Sequence, residues 1–195
     1  MSTNIVLCGV GGQGTVLASK LIATAAMGRG IPVKTAETIG MAQRGGSVFS
    51  HVRVGEGAAS PLVGHGTADV IVAFEPAEAV RQLPFLRRGG AVVVSNRPVV
   101  PVSSMTGGPA YDLEAIMGYL RAQEASGRIG DLAVVDADRA ARELGSAKCL
   151  NVVLLGAAAR SGALGLSAED VRSAIHERVP ERFWELNDRA LIWAE

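Results

Sequence analysis

The 195 residues carry 19 Lys+Arg against 19 Asp+Glu, a formal net charge of zero, with no Lys/Arg run, which sets nucleic-acid binding aside. Hydrophobic residues make up 48% but aromatics only 4%, so alanine, valine, leucine and glycine build the interior, a palette suited to helices packed on a parallel sheet. No apolar stretch reaches the roughly 18 residues of a membrane span, Met1-Ser2-Thr3-Asn4 lacks the features of a signal peptide, and Cys8 and Cys149 form no C-x-x-C pair, as expected of thiols kept reduced in a cytoplasm.

The chain opens on a strand at Asn4 to Leu7, expected in the sheet centre, then Cys8-Gly9-Val10-Gly11-Gly12-Gln13-Gly14, then helical spacing from Thr15 to Met27. Gly9, Gly11 and Gly14 fit G-x-G-x-x-G. Glycines permit a tight turn and close approach of a ligand to the backbone, and the helix N-terminus behind them offers N–H groups and partial positive charge. The motif alone fits a bound anionic cofactor or a tight structural crossover equally well. Gly28-Arg29-Gly30 stops the helix, and Ile31 to Thr35 reads as the second strand. A dinucleotide fold wants an acidic residue at the end of that strand. Glu37 is the one candidate; it comes late and reads more simply as a helix or loop carboxylate.

The stretch Glu37-Thr38-Ile39-Gly40-Met41-Ala42-Gln43-Arg44-Gly45-Gly46-Ser47 sets Arg44 beside two glycines, a planar cation next to bare backbone N–H groups, which suits an anion or carboxylate. Ser47 to Val54 alternates as a half-buried strand, with Val48, Ser50, Val52 and Val54 on one face and Ser47, Phe49, His51 and Arg53 on a polar one. His51 and Arg53 there suit a site or a subunit contact, although a lone histidine is more often structural. Asp69 to Phe74 is a near-continuous apolar run of the kind parallel sheets show. Glu75-Pro76 follows at its carboxyl end, where open α/β sheets bind ligands and where a helix N-terminus also favours a carboxylate for structural reasons; that helix is expected to run to about Leu86.

Gly89-Gly90 leads into a buried strand at Ala91 to Ser95, and Val99 to Val102 is read as an edge extension, with Pro98 and Pro101 excluding a central place. Helices are expected over Leu113 to Ala125 and Ala137 to Leu144, with a strand at Leu132 to Asp136 between them. From Lys148 the chain is helical, and the helix through Asn151-Val152-Val153-Leu154-Leu155-Gly156 is apolar almost all round, hence buried; Asn151 in its first turn needs a partner. Ser167-Ala168-Glu169-Asp170 caps the next helix, to Val179, and the last runs from Glu181 to Trp193. Both tryptophans, Trp184 and Trp193, lie there; they fit docking on the body or a subunit contact, and near-zero net charge favours association, so a homodimer of the isolated chain is among the expectations. Neither half repeats the other. The whole, 1–195, reads as a single α/β domain of three layers, a Rossmann-like, mostly parallel sheet flanked by helices with a helical C-terminal part.

The glycine turn, Gly-Met-Ala-Gln-Arg-Gly-Gly-Ser at 40–47, Ala-Asp-Val-Ile-Val-Ala-Phe-Glu-Pro at 68–76 and Asn-Val-Val-Leu-Leu-Gly-Ala at 151–157 together resemble the gamma-type domain of 2-oxoacid:ferredoxin oxidoreductases. The Met41-to-Ser47 version is most similar to small (beta) subunits acting on indolepyruvate. The resemblance covers nearly the whole chain and implies the following. The complex decarboxylates an aryl 2-oxoacid oxidatively with coenzyme A and passes electrons to ferredoxin. Thiamine diphosphate and iron–sulfur clusters belong to a large partner subunit; this chain holds no cofactor alone, has no cysteine framework for a cluster, and carries no catalytic or metal-ligating residue. Residues expected to face ligand or partner are Gly9, Gly11, Gly12, Gln13, Gly14, Gln43, Arg44, Gly45, Gly46, Glu75 and Asn151. Gamma subunits of pyruvate, branched-chain or 2-oxoglutarate enzymes are the near alternative. A free-standing NAD(P)-dependent dehydrogenase or a nucleotide-binding module is the distant one, weakened by the missing acidic residue and by the lack of a Tyr/Lys or His base pattern.

Overall fold

A computed structural model describes residues 2–39, 46–57 and 59–193. The first strand, β1 (Thr3–Val10), passes through the glycine turn into helix α1 (Thr15–Gly28). The next two, β2 (Val33–Ile39) and β3 (Ser47–Val54), form an antiparallel pair. Then come β4 (Ala68–Ala73), α2 (Pro76–Gln82), β5 (Leu86–Ser95), the short α3 (Val102–Met105), α4 (Leu113–Ala125), β6 (Ile129–Val135) and α5 (Ala137–Leu144). Helices α6 (Leu150–Arg160), α7 (Ala168–Arg178) and α8 (Trp184–Ile192) close the chain. The six strands lie in the order β2-β3-β1-β4-β5-β6. From β1 to β6 the pairings are parallel, whereas β3 runs antiparallel to both β1 and β2.

The strict alternation of β1 explains the three layers. Ile5 and Leu7 pack with Leu21, Val153, Ile175 and Leu191 from α1, α6, α7 and α8 on one face. Val6 and Cys8 pack with Ala79 of α2 and with Met117 and Leu120 of α4 on the other. Both faces of the central strands are therefore dry, as parallel sheets require.

Several boundaries differ from the sequence reading for local reasons. Strand β2 starts at Val33, after Pro32, which has no N–H to give a ladder. Glu37 consequently lies in an exposed edge strand, not in a helix or loop. Helix α2 stops at Gln82, and a 3-10 turn at Leu83–Phe85 leads directly into β5. That strand contains the Gly89-Gly90 pair, with a register shift between Gly90 and Ala91 against β6. A Cβ at Gly130 would lie 2.4 Å from the Gly89 carbonyl oxygen, so the two strands meet through bare backbone. Residues 99–102 form no strand.

The polar face assigned to β3 is covered at His51, while Ser47 at its start is exposed. His51 is buried, edge-on to Phe49 and Phe85 with ring centroids 5.3 Å away in each case, and its Nδ1 accepts the Val63 amide at 3.3 Å. Burial pushes its pKa down, so it is held neutral. Arg53 donates to the Asn4 side chain at 2.9 Å and to the Ser60 carbonyl at 3.1 Å. The two tryptophans serve the chain's own packing. Trp193 donates to Glu143 and Trp184 to the Val179 carbonyl, both at 2.7 Å, and Trp184 stacks on His176 at 4.2 Å. Helices α6 and α8 touch at Gly156, where a Cβ would stand 2.0 Å from the Leu191 carbonyl oxygen. The Ser167 capping box with Asp170 is formed as the sequence suggests.

Candidate functional site

Three chain segments converge at the carboxyl edge of the sheet. The first is the turn from Val10 to Thr15. Gly12 (φ 99°) and Gly14 (φ 86°) adopt left-handed conformations that other L residues rarely enter. Gly14 is the N-cap of α1, and among the described residues no side chain caps that end. The first-turn N–H groups therefore point outward with the positive end of the helix dipole behind them and no acidic residue in the turn to neutralise it.

Gln13 is used inside the turn. Its Oε1 accepts the Val10 amide at 2.7 Å, and its Nε2 donates to the Phe74 carbonyl at 3.0 Å. It thus ties the end of β1 to the end of β4. Gly9 is needed beneath it, since a Cβ there would come within 2.7 Å of Gln13 Oε1 and 2.9 Å of the Phe74 Cβ.

The second segment is the start of β3. Because β3 runs against β1, its first residue and the last of β1 share an edge; Val10 faces Ser47, and Gly11 N donates to the Gly46 carbonyl at 2.9 Å. Gln43, Arg44 and Gly45 lie outside the described residues.

The third is the β4–α2 junction. Glu75 is 1% exposed and caps α2, accepting the Glu78 amide at 3.0 Å on Oε2. Its Oε1 takes the Tyr111 hydroxyl and the Val99 amide, the latter at 3.3 Å. Burial and then the Glu75 carboxylate push the Tyr111 hydroxyl well above its ordinary range. Every Glu75 bond is internal, so this residue secures the 99–111 segment. Beneath it, Cys8 is fully buried; burial first, then Glu78 and Glu75, raise its thiol pKa, which keeps it protonated and inert.

Asn151 approaches the turn from α6. It is 5% exposed, and its Oδ1 accepts the Val152 amide at 3.0 Å. Its Nδ2 would be 3.1 Å from a Cβ on Gly14. Among the described residues no acceptor is bonded to that Nδ2. Asn151 lines a cleft of about 230 Å³ with Leu17, Lys148, Val179, Phe183 and Leu186. An apolar channel thus starts beside the open end of α1, with Lys148 in its wall and an unspent amide donor at its base. Of the residues singled out from sequence, Gly9, Gly11, Gly12, Gln13, Gly14, Gly46, Glu75 and Asn151 are brought to this one edge. The sequence reading missed Leu17, Lys148 and Phe183, which lie at distant positions and share no motif. It also missed Glu78, whose place three residues after a helix cap disguised it as a capping carboxylate. No group of three His, Cys, Asp or Glu suited to a metal occurs among the described residues.

A family model for pyruvate ferredoxin/flavodoxin oxidoreductases matches residues 4–193. The chain belongs to this family. Family relatives include the indolepyruvate oxidoreductase subunit IorB of Archaeoglobus fulgidus, 42% identical over 98% of this chain and 92% of the relative. The IorB subunit of Thermococcus kodakarensis is 38% identical over 96% of this chain and 91% of its own. Among solved structures, the gamma subunit of the keto/oxoacid ferredoxin oxidoreductase of Geobacter sulfurreducens superposes with a TM-score of 0.67 at 25% identity, covering 97% of this chain and 94% of that one. The 2-oxoglutarate:ferredoxin oxidoreductase of Magnetococcus marinus, solved with 2-oxoglutarate, coenzyme A and succinyl-CoA bound, shares the fold (TM-score 0.69, 22% identity, 97% of this chain but 30% of that one). Family members of this kind are subunits of multi-subunit oxidoreductases. The chain is accordingly an oxidoreductase subunit on a single α/β framework, and among the described residues no helix is long and apolar enough to cross a membrane.

Proposed function

We propose that the chain is the small subunit of an indolepyruvate:ferredoxin oxidoreductase, and that its glycine turn and Asn151 receive coenzyme A. The assignment to indolepyruvate rests on the IorB relatives at 38–42% identity. The role of the turn rests on one observation: beside the α1 N-terminus, which no described side chain caps, stands the amide of the largely buried Asn151, open to the cleft and with no acceptor among the described residues. Such a pair of donors suits the phosphate or amide oxygens of an anionic ligand with an apolar arm. The cleft from Leu17 to Phe183 would take the arm, and Lys148 in its wall would favour negative charge. Arg44, with Gln43 and Gly45, is assigned to the same ligand or to the partner. Thiamine diphosphate, the iron–sulfur clusters and the contact with ferredoxin are assigned to a large partner subunit in the cytoplasm. The chain supplies binding and orientation, not proton transfer.

The dehydrogenase alternative meets a physical objection. An acidic residue serving a ribose must end the strand next to the glycine turn. Here β3 separates β1 from β2, and Glu37 sits on the outer strand with Ser19 donating to it at 3.3 Å. The test is purification of the tagged chain from its host under anaerobic conditions, followed by titration with coenzyme A and with NAD. Co-purification of a large iron–sulfur subunit and a KM for coenzyme A raised at least about tenfold by Asn151→Asp are expected. Tight NAD binding by a chain that arrives alone would sink the proposal.

A further inference from the structure

We propose that Glu78 is a positioning residue for the glycine turn, acting through Ser47. The proposal rests on the reading of that turn as the coenzyme A site. Glu78 is 2% exposed, and a buried carboxylate is costly unless it is fully ligated. Its place in the first turn of α2 suits the helix dipole, and its oxygens could in addition serve the helix end by bonding a first-turn N–H. They do not. Oε2 accepts the Ser47 hydroxyl at 2.6 Å, and Oε1 takes the Arg81 guanidinium from the solvent side.

Ser47 begins β3 and is itself exposed. The Gly11 amide to Gly46 carbonyl bond just before it is the last rung of the β1/β3 ladder. A terminal rung at an exposed strand end opens easily. The charge-assisted bond from Ser47 to a carboxylate anchored in the core is strong and short. It fixes the end of β3 against α2, and with it the Gly46 oxygen that orients the Gly11 amide. Glu78 therefore sets the width of the turn from behind, without touching a ligand. The same helix turn presents Glu75 to the 99–111 segment, so α2 holds both flanks of the site edge.

The test uses the purified complex and three variants, Ser47→Ala, Glu78→Ala and Glu78→Gln. Ser47→Ala and Glu78→Ala should each raise the KM for coenzyme A about tenfold, the net worth of one charged hydrogen bond, with the change in KM rather than in kcat. The double variant should be no worse than Glu78→Ala, because the two residues act as one unit. Glu78→Gln, which keeps an oxygen acceptor for Ser47, should recover most of the loss. Hydrogen exchange in the peptide holding Gly11 should quicken in Ser47→Ala. A double variant that multiplies the single effects, or a Ser47→Ala enzyme with normal KM while Asn151→Asp raises it, overturns the proposal. If Asn151→Asp also leaves KM unchanged, the coenzyme A reading is what has failed. Gly11 exchange then decides: faster exchange in Ser47→Ala upholds the positioning role, and unchanged exchange overturns it.

Discussion

Replacing Gln13 by Ala separates a brace from a ligand contact. The side chain satisfies two backbone groups, the Val10 amide at 2.7 Å and the Phe74 carbonyl at 3.0 Å, both in partly buried surroundings. Leaving a buried polar group unpaired costs about 1–3 kcal/mol, and partial access of water puts each of these near the lower end. The sum is about 2 kcal/mol. For a chain of this size 1 kcal/mol moves Tm by about 2–4 °C, so Gln13→Ala should lower Tm by about 4–8 °C. Gln13→Glu keeps the acceptor for Val10 but sets a carboxylate against the Phe74 carbonyl, and should be at least as destabilising. Thermal unfolding followed by circular dichroism at fixed protein concentration reads both. A Tm within about 1 °C of the parent, coupled with weakened coenzyme A binding, would refute the brace and return Gln13 to the ligand.

Gly156→Ala should be among the most damaging single-methyl changes, costing about 3 kcal/mol or more, because the new Cβ meets the Leu191 backbone at 2.0 Å and only separation of α6 from α8 relieves it; a drop in Tm of under about 2 °C would contradict the contact. Tyr111→Phe should cost about 1–2 kcal/mol and loosen the 99–111 segment, seen as faster amide exchange at Val99, since Glu75 loses its hydroxyl donor. His51 contributes a pH dependence of definite sign. Its folded pKa lies below 6.5, so the unfolded chain binds the proton more readily; its contribution is complete above about pH 6.5 and is lost as pH falls through the folded value. Denaturant titrations between about pH 7.5 and about pH 5 should show that decline, and His51→Gln should flatten it.

The sequence marked the parts of this edge that depend on backbone. Gly12 and Gly14 stand where left-handed φ is required, and the apolar run at 69–74 followed by Glu75-Pro76 located a strand end beside a helix start. Helices α4 and α5 were legible to the residue from their spacing, whereas their caps were not: Asp136, read as the end of a strand, is the N-cap of α5, as Asp112 is of α4. What the residues hid was direction and use. Nothing local in Ser47–Val54 states that the strand runs against its neighbour, because an alternating pattern serves either direction. Gln13 and Glu75 do stand at the candidate site, but their side chains are spent inside the chain, and only three-dimensional partners reveal that. Glu78 was invisible for the opposite reason, since a local explanation was at hand and the distant one, Ser47, lies 31 residues away.

The reversed strand also bears on how such a subunit can diversify. With β2 ending and β3 beginning at one edge, paired Ile39 to Val48, the connection between them leaves from and returns to the rim of the site. Lengthening a connection whose ends are already fixed costs little, about 0.6 kcal/mol per doubling. In a wholly parallel arrangement the same insertion would fall within a crossover that carries a helix across the sheet. On the role proposed for Gln43, Arg44 and Gly45, recognition chemistry can be rewritten between these two fixed strand ends while the framework beneath is left alone, an economical place for related enzymes to part company over what they bind.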